Sequence, residues 1–276
     1  MYRVKIVDIK ELEKMMKSYY ESLIAPMDDY WEGSVLAKCK YYLLLGENSG
    51  ENNIEDDVVI GFFAIGEDSG LYQFYLEEEY LYNSEDIFKF VVDEMKISKA
   101  CVATYDTRFL VLCMDYIKDM KVSCYLYTEC KKVDPEKPIE NINIRLATLD
   151  DLEEIINFSF YSLDGVNEIW LKDYLTKWIN KKGIYLFIDG TNIIGTGELR
   201  INYRYKNTAY LGIIVSKNHR GIGMGKYITS YLRKTADEKN LTAVLAADVN
   251  NTSSNKMIKN SGFYCYHRIM EVTFKK

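Results

Sequence analysis

Short apolar runs of strand length alternate with amphipathic runs of helical length, and their order occurs twice. Tyr41–Leu45 and Val58–Ile65 read as two strands joined by the polar loop Gly46–Asp57. Ile184–Ile188 and Ile193–Leu199 read the same way, joined by a tight Asp189-Gly190 turn. A third strand, Ala209–Val215, precedes the helical run Lys226–Lys239. Met224, Ile228, Tyr231 and Leu232 follow helical spacing there and are expected to form its buried face. Each half continues with a strand (Ala100–Tyr105; Ala243–Val249), a helix and a final strand.

The two halves also begin alike. Lys5-Ile6-Val7-Asp8-Ile9-Lys10-Glu11-Leu12-Glu13 lies over Arg145-Leu146-Ala147-Thr148-Leu149-Asp150-Asp151-Leu152-Glu153 without a gap. Each is a short strand and then an acidic helix start, which suits the helix dipole, and Thr148 is a candidate cap. An Ile-Gly pair (Ile60-Gly61; Ile194-Gly195) opens the second strand of each pair. Two of the three prolines, Pro135 and Pro138, fall in a polar mid-chain segment. The pattern predicts domains at 1–134 and 141–276 with a linker at 135–140. Each is an α/β (α+β) copy with a mixed, mostly antiparallel sheet flanked by helices. A period near 135 residues means domain duplication rather than a solenoid.

Composition narrows the functional classes. A chain of 276 residues, 48% hydrophobic and 28% charged, buries a core and remains soluble. It has no run of about 18 apolar residues, so no membrane span is expected. Its first residues lack the form of a secretory leader, and its six cysteines lack paired short spacing. Both point to reduced thiols and a cytoplasmic location. Two histidines and no ligand spacing predict no metal site. The formal charge of −6 is uneven: residues 1–138 hold 16 Lys+Arg and 27 Asp+Glu, residues 139–276 hold 19 and 14. The acidic half could attract a cationic substrate or carry ordinary solubilising charge.

The sharpest motif is Arg220-Gly221-Ile222-Gly223-Met224-Gly225, between a strand and a helix. Such a turn exposes backbone N–H groups at a helix N-terminus, a site for an anion and above all a pyrophosphate. Lys226-Tyr227 follows, so this is not a Walker loop, and it comes too late in its domain for a dinucleotide fingerprint. The first half has Glu77-Glu78-Glu79-Tyr80-Leu81-Tyr82-Asn83-Ser84 in this place, three carboxylates and no glycine. That copy is expected not to bind a nucleotide cofactor in this manner.

With Arg220-x-x-Gly223-x-Gly225 after the fourth strand, and Asn251, Ser254 and Gly262-Phe263 behind it, the second half resembles the GNAT superfamily of acyl-CoA-dependent N-acyltransferases. The first half resembles the same fold with an eroded cofactor motif, as in tandem GNAT proteins. The resemblance implies acetyl-CoA as cosubstrate. Backbone N–H groups of Gly221, Ile222, Gly223, Met224 and Gly225 would hold its pyrophosphate, with Arg220 and Lys226 close by. The strand edge near Ile213 and Val215 would bind the pantetheine arm, and Asn251 and Ser254 would contact the cofactor from the other side. Asn251 and Ser254 also read as a turn residue and a helix cap.

A protonated amine acceptor needs a base. Glu198, after Gly195-Thr196-Gly197 in an apolar strand, is the first candidate and Tyr210 the second, although Glu198 also reads as a solvated strand-face residue. Many relatives carry an acidic Tyr five residues before the Phe of Gly-Phe; this chain has Ile258 there, leaving Tyr264 and Tyr266 nearby. Trp170 and Trp178 lie in the helical region Asn167–Asn180 and either line the acceptor site or pack the core. Asp164 and Glu168 meet a cationic acceptor or form a solvated helix start. The expected partner is an amine-bearing small molecule or peptide, with no nucleic acid and no membrane. The leading function is N-acetyl transfer. An acyl-CoA-binding sensor and a Fem-type transferase using aminoacyl-tRNA are the alternatives, the latter disfavoured by the intact loop and acidic chain.

Overall fold

The computed structural model describes residues 2–275 other than 29, 48–56, 132–138, 140, 164–166, 202–203 and 206. It divides into two compact units, residues 1–125 with 267–276, and residues 126–266. The first unit contains β1 (Tyr2–Val7), α1 (Glu13–Ser22), β2 (Lys40–Glu47), β3 (Asp57–Ile65), β4 (Leu71–Leu76), α2 (Ser84–Glu94), β5 (Lys99–Ala103), α3 (Thr107–Met114) and most of β6 (Ile117–Glu129). The second contains β7 (Ile142–Leu146), α4 (Leu152–Ser162), α5 (Glu168–Asn180), β8 (Ile184–Asp189), β9 (Asn192–Ile201), β10 (Thr208–Val215), α6 (Met224–Glu238), β11 (Thr242–Asp248), α7 (Thr252–Asn260) and the start of β12 (Phe263–Phe274).

In each unit the first four strands form an antiparallel meander, and the fourth then meets the fifth in parallel. The division differs from the predicted one. In the first unit the strand beside β5 is the end of β12, with Ile269 opposite Ala103 and Thr273 opposite Lys99. Val272 and Phe274 join the buried cluster of Phe74, Phe88 and Phe109, and that burial is what draws the chain's last residues into this unit. In the second unit the strand beside β11 is the end of β6. The predicted linker 135–140 lies, apart from Ile139, outside the described residues, as does most of the loop Gly46–Asp57.

The sequence repeat has structural counterparts. The two helix starts superposed by sequence carry reciprocal caps. Asp8 accepts from the Lys10 N–H while its own N–H donates to Glu11, and the Thr148 N–H and hydroxyl donate to Asp151 at 2.7 and 2.9 Å. Both Ile-Gly pairs sit at β-bulges. Leu44 and Leu45 face Gly61 and Val59, skipping Ile60, and Phe187 and Ile188 face Gly195 and Ile193, skipping Ile194. The carbonyl of each skipped isoleucine accepts from the first residue after the fourth strand, Glu77 in one unit and Ser216 in the other, both at 3.0 Å. A bulge ends regular pairing and re-aims the chain. Here it fixes where the fourth strand stops and the functional loop begins.

The helix α6 buries Met224, Ile228 and Leu232 as its spacing predicts, and Ala236 besides, while Tyr231 is half-buried against Tyr185 and Phe187. Full burial of Ile228 and Leu232 contributes about 1.5–3 kcal/mol each. This packing anchors the helix whose N-terminus receives the glycine loop.

Candidate functional site

The loop leaves β10 through a short 3-10 turn, Lys217–His219, and then passes Arg220. Arg220 is tethered: its Nε donates to the Val215 carbonyl at 3.2 Å and its Nη2 to the Ser162 carbonyl. Gly221 and Gly223 follow with φ of +80° and +93°, in the left-handed region where a side chain is strained. Nothing lies within 4 Å of where a Cβ would stand on either, so the loop's outer side is open. Gly223 caps α6 without any side-chain bond to its first amides. The Met224 side chain is buried, so only its backbone faces the loop, whereas Ile222 is 68% exposed at the tip. Gly225 lies inside the helix, where a Cβ would make ordinary contact with Met257 and Val215. Lys226 is half-buried one residue on.

Beside the loop, β10 and β11 separate. They pair at Thr208–Thr242, Ala209–Ala243 and Tyr210–Val244, and not beyond, although β10 continues to Val215 and β11 to Asp248. Residues 212–215 are correspondingly only half-buried, while 208–211 are buried. Ile213 and Val215 therefore lie on a stretch of strand whose β11-facing edge is left open. Arg220 takes the carbonyl of Val215.

On the opposite side of the sheet from α6 lies a buried ionic group. Glu198, 9% exposed, accepts from the Tyr174 hydroxyl at 2.6 Å and is paired with Arg200 two residues along β9. Their cross-strand neighbours are Gly212 and Tyr210. A Cβ on Gly212 would stand 2.6 Å from the Glu198 Oε2, so glycine makes the room that this pair occupies. Glu198 is thus a buried, partnered carboxylate on the face of the opened strand, not a solvated one. Tyr210 is 3% exposed on the same face. The Trp170 ring stacks on Tyr174 at 4.9 Å and is 38% exposed, so it borders this group. Trp178 is buried, with Lys177 and Lys181 over its ring, and belongs to the core. Asp164 and the side chain of Glu168 lie outside the described residues.

Behind the loop, Asn251 caps α7 by accepting from the Ser254 N–H at 3.1 Å. The cap expected of Ser254 is supplied by Asn251 instead, with the Ser254 backbone as its donor, because α7 begins at Thr252 and Ser254 lies inside its first turn. Asn255, which sequence reasoning missed, binds more firmly: its Nδ2 donates to the Asp248 carbonyl at 2.9 Å and its Oδ1 accepts from Tyr127. It ties the end of β11 to α7. Arg200 and Tyr174 were missed as well. Their signals were the strand period from Glu198 to Arg200 and the helical step from Trp170 to Tyr174. Tyr264 is not brought to this group. It is 41% exposed on β12, packs edge-on against Tyr266, and β6 separates its strand from β11. Two strand spacings amount to about 10 Å. Ile258, at the usual acid's position, is buried. Among the described residues, no group of three or more His, Cys, Asp or Glu is placed to hold a metal ion.

Comparison with known proteins agrees with this geometry. Residues 8–130 match a family model described as an acetyltransferase (GNAT) domain, and residues 149–263 match the acetyltransferase (GNAT) family. An acetyltransferase from the GNAT family from Colwellia psychrerythraea is 25% identical, with a TM-score of 0.86 over 99% of this chain and 100% of that one. A GCN5-related N-acetyltransferase from Sphaerobacter thermophilus is 11% identical, with a TM-score of 0.62 over 98% and 94%. A tandem GNAT protein from the clavulanic acid biosynthesis pathway is 9% identical, with a TM-score of 0.61 over 100% and 99%. The last two share the fold. No curated protein matches. The fold and the loop define a GNAT acyltransferase architecture. This chain belongs to the GNAT family and carries two of its domains in tandem.

Proposed function

We propose that the second unit transfers an acetyl group from acetyl-CoA to a primary amine. The observation that carries this reading is the coincidence of three features on one strand end. These are the open left-handed glycine loop at the start of α6, the unpaired edge of β10, and the buried Glu198 beside it. The glycine loop offers amides to a pyrophosphate, with Arg220 fixed at its rim. Pantetheine would add along Ile213–Val215 much as a strand does.

An acyl thioester is already activated, so the chain's task is placement and charge management. The amine nitrogen attacks the thioester carbonyl, the C–S bond breaks, and CoA leaves as its thiolate. Glu198 takes the proton the amine loses, directly or through water, while Tyr174 and Arg200 hold the carboxylate in place. Tyr210 shares that face and is the second residue placed there. A backbone N–H on the open strand edge supports the developing oxyanion. Tyr264 is left without a role.

Two observations favour a non-catalytic acyl-CoA sensor instead: Arg200 is ion-paired with Glu198, and Ile258 stands where an acid is usual. Thiol release on a panel of amines separates the two, since a sensor binds without turnover. Six cysteines, none of them in a disulfide, support a reducing, cytoplasmic setting. Among the described residues no helix is long and apolar enough to cross a membrane. Calorimetry tests the site itself. Gly223→Glu is expected to weaken acetyl-CoA binding at least 100-fold, and unchanged binding overturns the assignment.

A further inference from the structure

The first unit keeps the cleft and changes its lining. Its β4 and β5 pair at a single position, Leu71 with Ala100, and then part. A cavity of about 370 Å³ is lined by the end of α1, the end of β4, the start of α2 and one face of α3. That volume suits a small organic molecule. The apolar part of its wall is Phe74, Leu76, Leu81, Val111 and Leu112. The charged part is three carboxylates, Glu85, Asp106 and Asp115, and one guanidinium, Arg108, which is bound to Glu78 at 2.8 Å.

The deepest of these groups is Asp106, 6% exposed. One of its oxygens accepts from the Tyr19 hydroxyl at 2.7 Å and the other from the Phe109 N–H at 3.3 Å. Each carboxylate oxygen has a second lone pair left. Gln73, fully buried on β4, makes no hydrogen bond with either amide atom. A buried amide left so costs about 1–3 kcal/mol. Tyr19 and Tyr75, an edge-on ring pair 6.0 Å apart, both line the cavity.

We propose that this cavity binds an organic amine, its ammonium group directed to Asp106 and its apolar body lying over Phe74 and Leu76. An ammonium brings three donors and a positive charge to a wall that is otherwise acceptor-rich and anionic. A pyrophosphate is disfavoured here, because Glu77–Glu79 stand beside the cavity's entrance segment where the second unit has its glycines, and Glu85, Asp106 and Asp115 line the wall. An apolar body matches the remaining surface, and aromatic edges and faces accommodate the cation's flank. The first unit is then a second amine site, independent of whether the second unit transfers acetyl groups.

The whole chain is titrated with 2-phenylethylamine and with the neutral 2-phenylethanol, read by calorimetry and by hydrogen exchange across Thr107–Met114. The amine is expected to protect that helix and to bind at least tenfold more tightly than the alcohol. Asp106→Asn is expected to weaken it at least tenfold. Val111→Trp, at a position 59% exposed and therefore tolerant of change in the fold, is expected to block the cavity and abolish the protection. Protection should persist in Glu198→Gln. Equal affinity for the two compounds, absence of protection, indifference to Val111→Trp, or loss of the effect in Glu198→Gln would each overturn the proposal.

Discussion

The loops after the fourth strands of the two units start identically and finish differently. Each is launched by a bulged isoleucine whose carbonyl holds the first loop amide, Glu77 or Ser216. Each makes the same next bond, Tyr80 N–H to Glu77 and His219 N–H to Ser216, both at 2.9 Å. The paths then diverge. The second unit reaches α6 through two left-handed glycines. The first reaches α2 through a 3-10 helix, Glu78–Asn83, in which Glu78 is tied across to Arg108 on α3. The difference teaches that the fold supplies a cleft and a loop position, while a few residues decide what charge the cleft accepts.

Removing residues 267–276 should separate the two units most strongly. Ile269, Val272 and Phe274 are all buried, and losing them costs more than about 5 kcal/mol, comparable with a domain's whole stability. Hydrogen exchange should show protection of β5 collapsing. Protection of β5 that survived the deletion would mean that the end of β12 adds little to the first unit. Next in size, Glu198→Gln should lower kcat about 10²–10³-fold with little change in the KM for acetyl-CoA. An unchanged kcat would move the base elsewhere, and equal loss in both constants would make Glu198 a structural residue.

The units should also answer acid in opposite directions. Burial lifts Asp106 to about 6, above its unfolded value near ~4. The native state therefore binds the extra proton between those values. Its destabilising effect, about 2–3 kcal/mol, is complete above pH 6 and is relieved as pH falls towards ~4. The titratable groups facing it are Tyr19 on α1 and Arg108 and Cys113 on α3. In the second unit, the bidentate Arg145 pair holds Asp151 well below the usual carboxylate range. That contribution, about 1–2 kcal/mol for a half-exposed pair, is present above ~4 and lost as pH falls further. Exchange rates read separately in the two units should diverge on acidification from pH 7 to about 3. Parallel changes would contradict both assignments.

The smallest effect concerns the third glycine of the loop. Gly225→Ala should leave stability unchanged or raise it by up to about 1 kcal/mol, since its Cβ meets only ordinary contacts within a helix. Gly223→Ala, at φ +93°, should cost about 1 kcal/mol by thermal melting. Equal responses would remove the distinction between backbone need and ligand need within the motif.

Local features were legible in the sequence. The acidic helix starts, the paired Ile-Gly motifs and the glycine loop are each encoded by residues within a few positions of one another; that the Ile-Gly pairs form bulges depends on their partner strands. Pairing between distant segments was not. The ends of β6 and β12 both read as generic strands, and nothing in their alternation says which neighbour each takes. For the same reason Glu198 was visible as an odd carboxylate in an apolar strand, but not its locking by Tyr174 from a separate helix. Tyr264 was suggested by nearness in sequence to Gly262-Phe263, and the strand order removes it from the site.

The placement of β12 also bears on synthesis at the ribosome. Small domains ordinarily fold in the order in which they emerge. Here β5 is made early, yet its neighbour, Ile269–Thr273, is translated only after the intervening second unit. The first unit must wait, one sheet edge unfilled, while the whole of the second is made. Its completion therefore waits on synthesis of the second unit, and an unfinished chain would expose an unpaired edge to aggregation or to chaperones. A late nonsense mutation, far from the glycine loop in sequence, would strike the amino-terminal unit first.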